Sequence, residues 1–168
     1  MKKEFLQFRD ATEADLPTIV AIYNSTVSSR MVTADTAPVT VESRMNWFRE
    51  HSADRRPLWM VEQDGHPLGW VSFQSFYGRP AYDATVEVSI YLDPEQRGRG
   101  LGKTVLAHAL TSAPRFGIKT MLGFIFAHNE PSIRLFQGFG FQEWANLPNI
   151  VEMDGQEYGL KILGKRLV

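Results

Sequence analysis

Strict alternation over residues 85–92 sets Val86, Val88, Ile90 and Leu92 on one side of a strand and Thr85, Glu87, Ser89 and Tyr91 on the other. A period of two marks a half-buried strand with one core face and one polar face. Runs rich in β-branched and aromatic residues predict strands over 58–63 and 68–76, and Asp64-Gly65 between them is a hairpin turn, so the two pair antiparallel. A short strand over 5–8, an apolar strand over 119–126, and two or three strands over 141–168 around Asp154-Gly155 complete the set. Between them the period lengthens to that of a helix. Leu16, Ile19, Val20 and Tyr23 share a face behind the cap Thr12, with Glu13 and Asp15 in the first turn. A helix over 41–51 follows Thr40, with Met45 and Phe48 as its buried side. Val105, Leu106, Ala109 and Leu110 form a stripe that starts at Leu101 and closes at Gly117. Asn129 and Pro131 open the last helix, which packs Ile133, Leu135 and Phe136.

The order is strand, two helices, three strands, helix, strand, helix, strands. It predicts an α/β (α+β) fold: a mixed, mostly antiparallel central sheet flanked by about four helices. The strand–helix–strand unit around 101–117 makes one neighbouring strand pair parallel, an arrangement in which ligands sit beyond the strand ends beside a helix N-terminus. The connection 24–38 is long, and on composition it reads equally as a functional loop or a plain surface one.

At 168 residues, one domain over 1–168 accounts for the chain. A formal net charge of -1 gives no general attraction to nucleic acid or an anionic membrane, so any basic patch is local. With no cysteine, disulfides, thiolate metal sites and a cysteine nucleophile are excluded. His51, His66, His108 and His128 lack metal-ligand spacing and read as structural or surface residues, so no metal is expected. Residues 1–9 are too polar for a signal peptide and no later run could span a bilayer, which makes the cytoplasm the expected location.

The local basic patch is Arg97, Gly98, Arg99, Gly100, Leu101, Gly102 and Lys103, placed between the alternating strand and a helix start. Glycine lets backbone N–H groups approach an anion, and the helix start adds free N–H donors and the positive end of its dipole. A P-loop would need glycine where Arg97 stands, and a dinucleotide fingerprint would need glycine where Lys103 stands. Arg97-x-x-Gly100-x-Gly102 instead resembles the pyrophosphate loop of the GNAT N-acetyltransferases, which bind acetyl-coenzyme A. Asn129-x-x-Ser132 and Gly140-Phe141 follow at the interval of that family. Within it, 76–82, 85–91 and 129–141 resemble the phosphinothricin and methionine sulfoximine acetyltransferases.

The resemblance implies a role for each of these positions. Backbone of Ile90, Tyr91 and Leu92 would hold the pantetheine arm, residues 97–103 the pyrophosphate, and Asn129 and Ser132 the cofactor farther along. Phe76, Tyr77, Gly78, Arg79, Tyr82 and Glu87 would face a small amino-acid-like acceptor, with Arg79 suited to a carboxylate or phosphinate oxygen. Read from the residues alone, Glu87 also fits a solvated sheet face, Arg79 an exposed loop charge, and Tyr82 a packed aromatic. A homodimer is implied by the subgroup only.

Acyl transfer to an amine that is mostly protonated at neutral pH needs a base, and Glu87 is the candidate. Backbone N–H groups at the end of its strand are candidates to stabilise the developing oxyanion. Many relatives carry a tyrosine, or in this subgroup often a histidine, where Phe136 stands; phenylalanine donates no proton, so the acid for the departing thiolate is vacant or has moved. Alternatives are an acetyltransferase for a polyamine, an aminoglycoside or a protein N-terminus, and a non-catalytic acyl-coenzyme A sensor.

Overall fold

The computed structural model describes residues 5–96 and 98–168. Its centre is a seven-stranded sheet made from β1 (Gln7–Asp10), β2 (Leu58–Gln63), β3 (His66–Ser75), β4 (Thr85–Leu92), β5 (Thr120–Phe126), β6 (Gln142–Met153) and β7 (Gln156–Arg166), in the order β1-β2-β3-β4-β5-β7-β6. Neighbours run antiparallel except β4 and β5, whose crossover carries a helix. Among the described residues four α-helices flank the sheet: α1 (Leu16–Ser25), α2 (Val41–Arg49), α3 (Leu101–Ser112) and α4 (Glu130–Gly138). The mixed fold and the single parallel pair match the expectation from the sequence.

Alternation along the central strands assigns each helix pair to a face. Trp59, Val61, Val71, Phe73, Val86 and Val88 pack with Val105, Leu106, Ala109, Ile133 and Phe136 of α3 and α4. On the opposite face Leu58, Met60 and Trp70 pack with Leu16, Ile19, Val20 and Tyr23 of α1, while α2 lies over the margin of that cluster. Glu87, Ser89 and Tyr91 therefore point to the side of α1 and α2.

Several boundaries differ from the sequence reading. The first strand is Gln7–Asp10 rather than 5–8, because its partners Trp59 to Glu62 set the register and Phe8 stacks on His108 at 3.7 Å. Met45 and Phe48 are half-buried, not core, and Trp47 shares their role: α2 buries no residue fully because it roofs a pocket. The last segment forms two strands, and β7, the later one, inserts between β5 and β6.

Parallel pairing of β4 with β5 is confined to Thr85↔Thr120, Val86↔Met121 and Glu87↔Leu122. Both strands continue beyond it, β4 to Leu92 and β5 to Phe126, so the sheet splits down its middle. Past Glu87, the edge of β4 that faces β5 has no strand partner among the described residues. Backbone donors and acceptors in such an edge call for a partner of another kind.

Candidate active site

Glu87 is the last paired residue before the split. Its side chain lines a pocket of about 200 Å³ together with Ser72, Gln74, Ser89 and Tyr91 from the sheet, Tyr23 from α1, and Arg44 and Trp47 from α2. The register explains this company: Gln74 pairs with Glu87 and Ser72 with Ser89, so four short polar side chains occupy one patch of the sheet face. Trp70, stacked on Tyr91 at 4.6 Å and edge-on to Trp47 at 5.3 Å, forms an apolar wall. Burial pushes the Glu87 carboxyl above the usual carboxylate range. Tyr91 is also pushed up, chiefly by burial and then by the neighbouring Tyr23.

The long connection 24–38 folds back onto this pocket. Tyr23 bonds through its hydroxyl to Thr33 and Asp35, and Asp35 accepts from Arg44 Nη2 at 2.9 Å. Arg44 lies over the Tyr23 ring, 4.6 Å from its centre. Farther along, Asn129 donates to the Met31 carbonyl and His128 Nε2 meets the Arg30 carbonyl, tying the connection to the start of α4.

The candidate acceptor residues do not all converge. Phe76 continues the Ser72–Gln74 row just past Glu87, and Tyr77 and Tyr82 pack on it at 5.8 and 5.7 Å in an exposed aromatic group. Gly78 turns this loop with a positive φ of 66°, and Arg79 is exposed at its edge. None of these five lines the pocket that holds Glu87. The loop is anchored from beneath by Arg56, which donates to Ser75 Oγ and the Asp83 carbonyl.

Sequence reasoning missed Arg44, Trp47, Trp70 and Ser72. The first two sit on a helix whose period speaks only for its core, and the last two lie on a strand whose polar face gives no sign of what covers it.

At the other end of the split, Gly98 and Gly100 take positive φ values of 78° and 70°, and Gly100 caps α3 without any side-chain bond to its first turn. The first-turn N–H groups at Leu101, Gly102 and Lys103 are thus open to a ligand. Arg99 donates to Gln96 and Gln63, bracing the loop against β2, and Lys103 is exposed. Arg97 lies outside the described residues. Asn129 caps α4 by accepting from Ser132 N at 3.3 Å, so the expected cofactor residues Asn129 and Ser132 are also the structural start of that helix. Phe136 belongs to the core: it stands edge-on to Phe141 at 4.8 Å and over Gly123, where a Cβ would meet its ring at 2.7 Å. Among the described residues no group of three or more histidine, aspartate or glutamate side chains could hold a metal ion, and no helix is long and apolar enough to cross a membrane.

The site thus combines a split parallel pair, an open helix start at one end and a half-buried carboxylate at the other. The family profile described as acetyltransferase (GNAT) matches residues 19–141, and the chain belongs to that family. YwnH of Bacillus subtilis, named provisionally as a phosphinothricin acetyltransferase, is 53% identical over 96% of this chain and 99% of its own. The L-methionine sulfoximine/L-methionine sulfone acetyltransferase of Pseudomonas aeruginosa is 33% identical over 90% of this chain and 86% of its own. The crystal structure of a phosphinothricin acetyltransferase from Sinorhizobium meliloti in complex with acetyl-coenzyme A superposes with a TM-score of 0.88 at 26% identity, covering 96% of this chain and 88% of that one.

Proposed function

We propose that this N-acetyltransferase moves the acetyl group of acetyl-coenzyme A onto the amino group of a small amino-acid-like acceptor, with Glu87 as general base. The observation that carries this reading is the position of Glu87 at the fork of the sheet, inside a pocket of about 200 Å³. Named relatives of the phosphinothricin and methionine sulfoximine type support the acceptor class.

The residues present fit the coenzyme. The unpartnered edge of β4 at Ile90, Tyr91 and Leu92 suits a pantetheine arm whose amides extend the sheet, and the open first turn of α3 behind Gly98 and Gly100 suits its pyrophosphate. Arg97, Arg99 and Lys103 would add positive charge there, and Asn129 and Ser132 would border the arm from α4. When bound, the coenzyme supplies an acetyl thioester as electrophile.

The chain's own residues do the rest. The pocket orients the amine toward the fork, and the Glu87 carboxylate takes its proton. Burial strengthens that base: a carboxyl that ionises only above its ordinary range is closer in proton affinity to the amine it must deprotonate. Trp47, Trp70 and Tyr91 form the apolar side of the pocket beside the carboxylate. Phe136 offers no proton; a thiol with pKa near ~8.5 leaves without one. The rim residues Phe76, Tyr77, Gly78, Arg79 and Tyr82 would meet the acceptor as it enters, Arg79 attracting anions. The subgroup resemblance adds a homodimer, which light scattering on eluted protein reads directly.

Thiol release from acetyl-coenzyme A, followed with a thiol reagent while phosphinothricin and L-methionine sulfone are titrated, tests the reading. Saturable stimulation supports it, and its absence with both acceptors counts against it. For the coenzyme site, Gly100→Ala forces a side chain into left-handed backbone at a cost of about 1–2 kcal/mol. Calorimetric titration should show acetyl-coenzyme A bound roughly tenfold more weakly. An unchanged Kd would place the pyrophosphate elsewhere.

A further inference from the structure

The pocket beside Glu87 contains a second charge that the proposed chemistry leaves unused. Arg44 projects from α2 into the same space that Glu87 enters from the sheet, and the two form no ion pair with each other. Among the described residues Arg44 spends only Nη2 on a hydrogen bond, to Asp35, which leaves Nε and Nη1 of a five-donor guanidinium available. Its orientation is fixed on two sides, by the Asp35 carboxylate and by the Tyr23 ring beneath it. The loop that brings Asp35 there therefore presents the cation to the pocket. Arg44 side-chain exposure is 27%, low enough for a bound anion to be shielded from water and high enough for one to reach it.

A second observation is independent of the charges. Ser72 is 1% exposed, lines this pocket, and its hydroxyl has no hydrogen-bond partner among the described residues. A buried hydroxyl left unpaired is costly, and a ligand oxygen or nitrogen in the pocket would satisfy it. Arg44 and Glu87 line the same small cavity, which gives it one positive and one negative group.

We infer that Arg44 is the residue that recognises the acidic end of the acceptor, with the Ser72 hydroxyl as a further polar contact, so that a single pocket holds an α-amino acid with its carboxylate on Arg44 and its amine on Glu87. This rests on the amino-acid-like acceptor proposed above and specifies what selects it. The exposed Arg79 has a different part: a rim charge speeds encounter and is screened by salt, whereas a half-buried guanidinium sets residence and is not.

The test compares L-methionine sulfone with its α-carboxamide, which keeps the amine and side chain but lacks the charge. Wild type should favour the acid. Arg44→Ala should lower kcat/KM for the acid by about tenfold to a hundredfold, through KM, and for the carboxamide by less than about threefold, as expected for loss of one charge-assisted contact. Arg44→Lys should recover part of the preference. Asp35→Asn, which loosens the hold on the guanidinium but leaves its charge, should weaken the preference only in part. The Arg79→Ala effect should fade at high salt while the Arg44→Ala effect persists.

If Arg44→Ala weakens acid and carboxamide equally, the residue only fastens the 24–38 connection and the inference is overturned while the amino-acid acceptor stands. Loss of the preference in Arg79→Ala alone would overturn it in the same way. If wild type acetylates neither compound but does acetylate other amines, the acceptor class itself is wrong and this inference falls with it. Fluorescence of Trp47 and Trp70, both in the pocket wall, gives a binding readout that needs no turnover: half-maximal perturbation by L-methionine sulfone should need about tenfold to a hundredfold more ligand in Arg44→Ala than in wild type.

Discussion

Glu87→Gln should lower kcat by about 10²–10⁴, the range associated with a positioned general base, while acetyl-coenzyme A binds as before. Glutamine keeps the shape and removes only the basic oxygen, so the variant isolates the proton transfer. The pH dependence follows from burial, which raises the Glu87 pKa. Activity needs the ionised carboxylate, so wild-type kcat/KM should climb with pH through a limb centred above the usual carboxylate range, and that limb should be missing from the residual activity of Glu87→Gln.

Stability should move the opposite way. In the unfolded chain this carboxyl ionises near ~4.3, and in the fold it ionises higher. The folded state therefore holds its proton over a window in which the unfolded state has lost it, and stability falls as pH rises through that window. Above the window the full deficit remains. Glutamine carries no such deficit, so Glu87→Gln should melt higher than wild type at pH 8 and level with it below about pH 4. A variant with full activity, or one with the same melting difference at both pH values, would remove Glu87 from the role given to it.

Gly69→Ala should be strongly damaging, because the methyl would meet backbone. A Cβ at Gly69 would stand 2.4 Å from the Tyr91 carbonyl oxygen and 2.7 Å from Leu92 Cδ2. The first of these is backbone and cannot rotate away, so β3 and β4 must separate where Gly69 pairs with Leu92. Overpacking of this kind costs about 1–3 kcal/mol or more. For a chain of this size that corresponds to a melting point lower by roughly 2–12 °C. Because Leu92 belongs to the edge proposed for the pantetheine arm, KM for acetyl-coenzyme A should rise as well. Thermal melts and initial rates would show both; a melting point unchanged within a degree would contradict the close approach.

The strand 85–92 was legible because its alternation is strict, and its polar face already joined Glu87, Ser89 and Tyr91. Local signals of the same kind revealed the 64–65 hairpin turn, the Asn129 cap and the glycines that start α3. What remained hidden depends on contacts distant in sequence. Arg44 and Trp47 acquire their place only when α2 lies across the sheet margin, and Ser72 only when β3 registers against β4. The loop at 76–82, prominent for its aromatic and charged residues, lies beside the Glu87 pocket and not in it, since Phe76 extends the sheet row and carries Tyr77 and Tyr82 outward. Phe136 shows the reverse case: a position suggestive of chemistry is filled by a core side chain against Gly123 and Phe141.

Acetyl transfer to the amine of a small amino-acid-like acceptor is tested most directly by competition in one vessel. L-methionine sulfone, phosphinothricin, a polyamine, an aminoglycoside and a peptide with a free N-terminus would be offered together with limiting acetyl-coenzyme A, and the acetylated products identified by mass spectrometry. The first two should take most of the acetyl group, at their amino nitrogen. Acetyl found mainly on the polyamine, the aminoglycoside or the peptide would contradict the proposed acceptor.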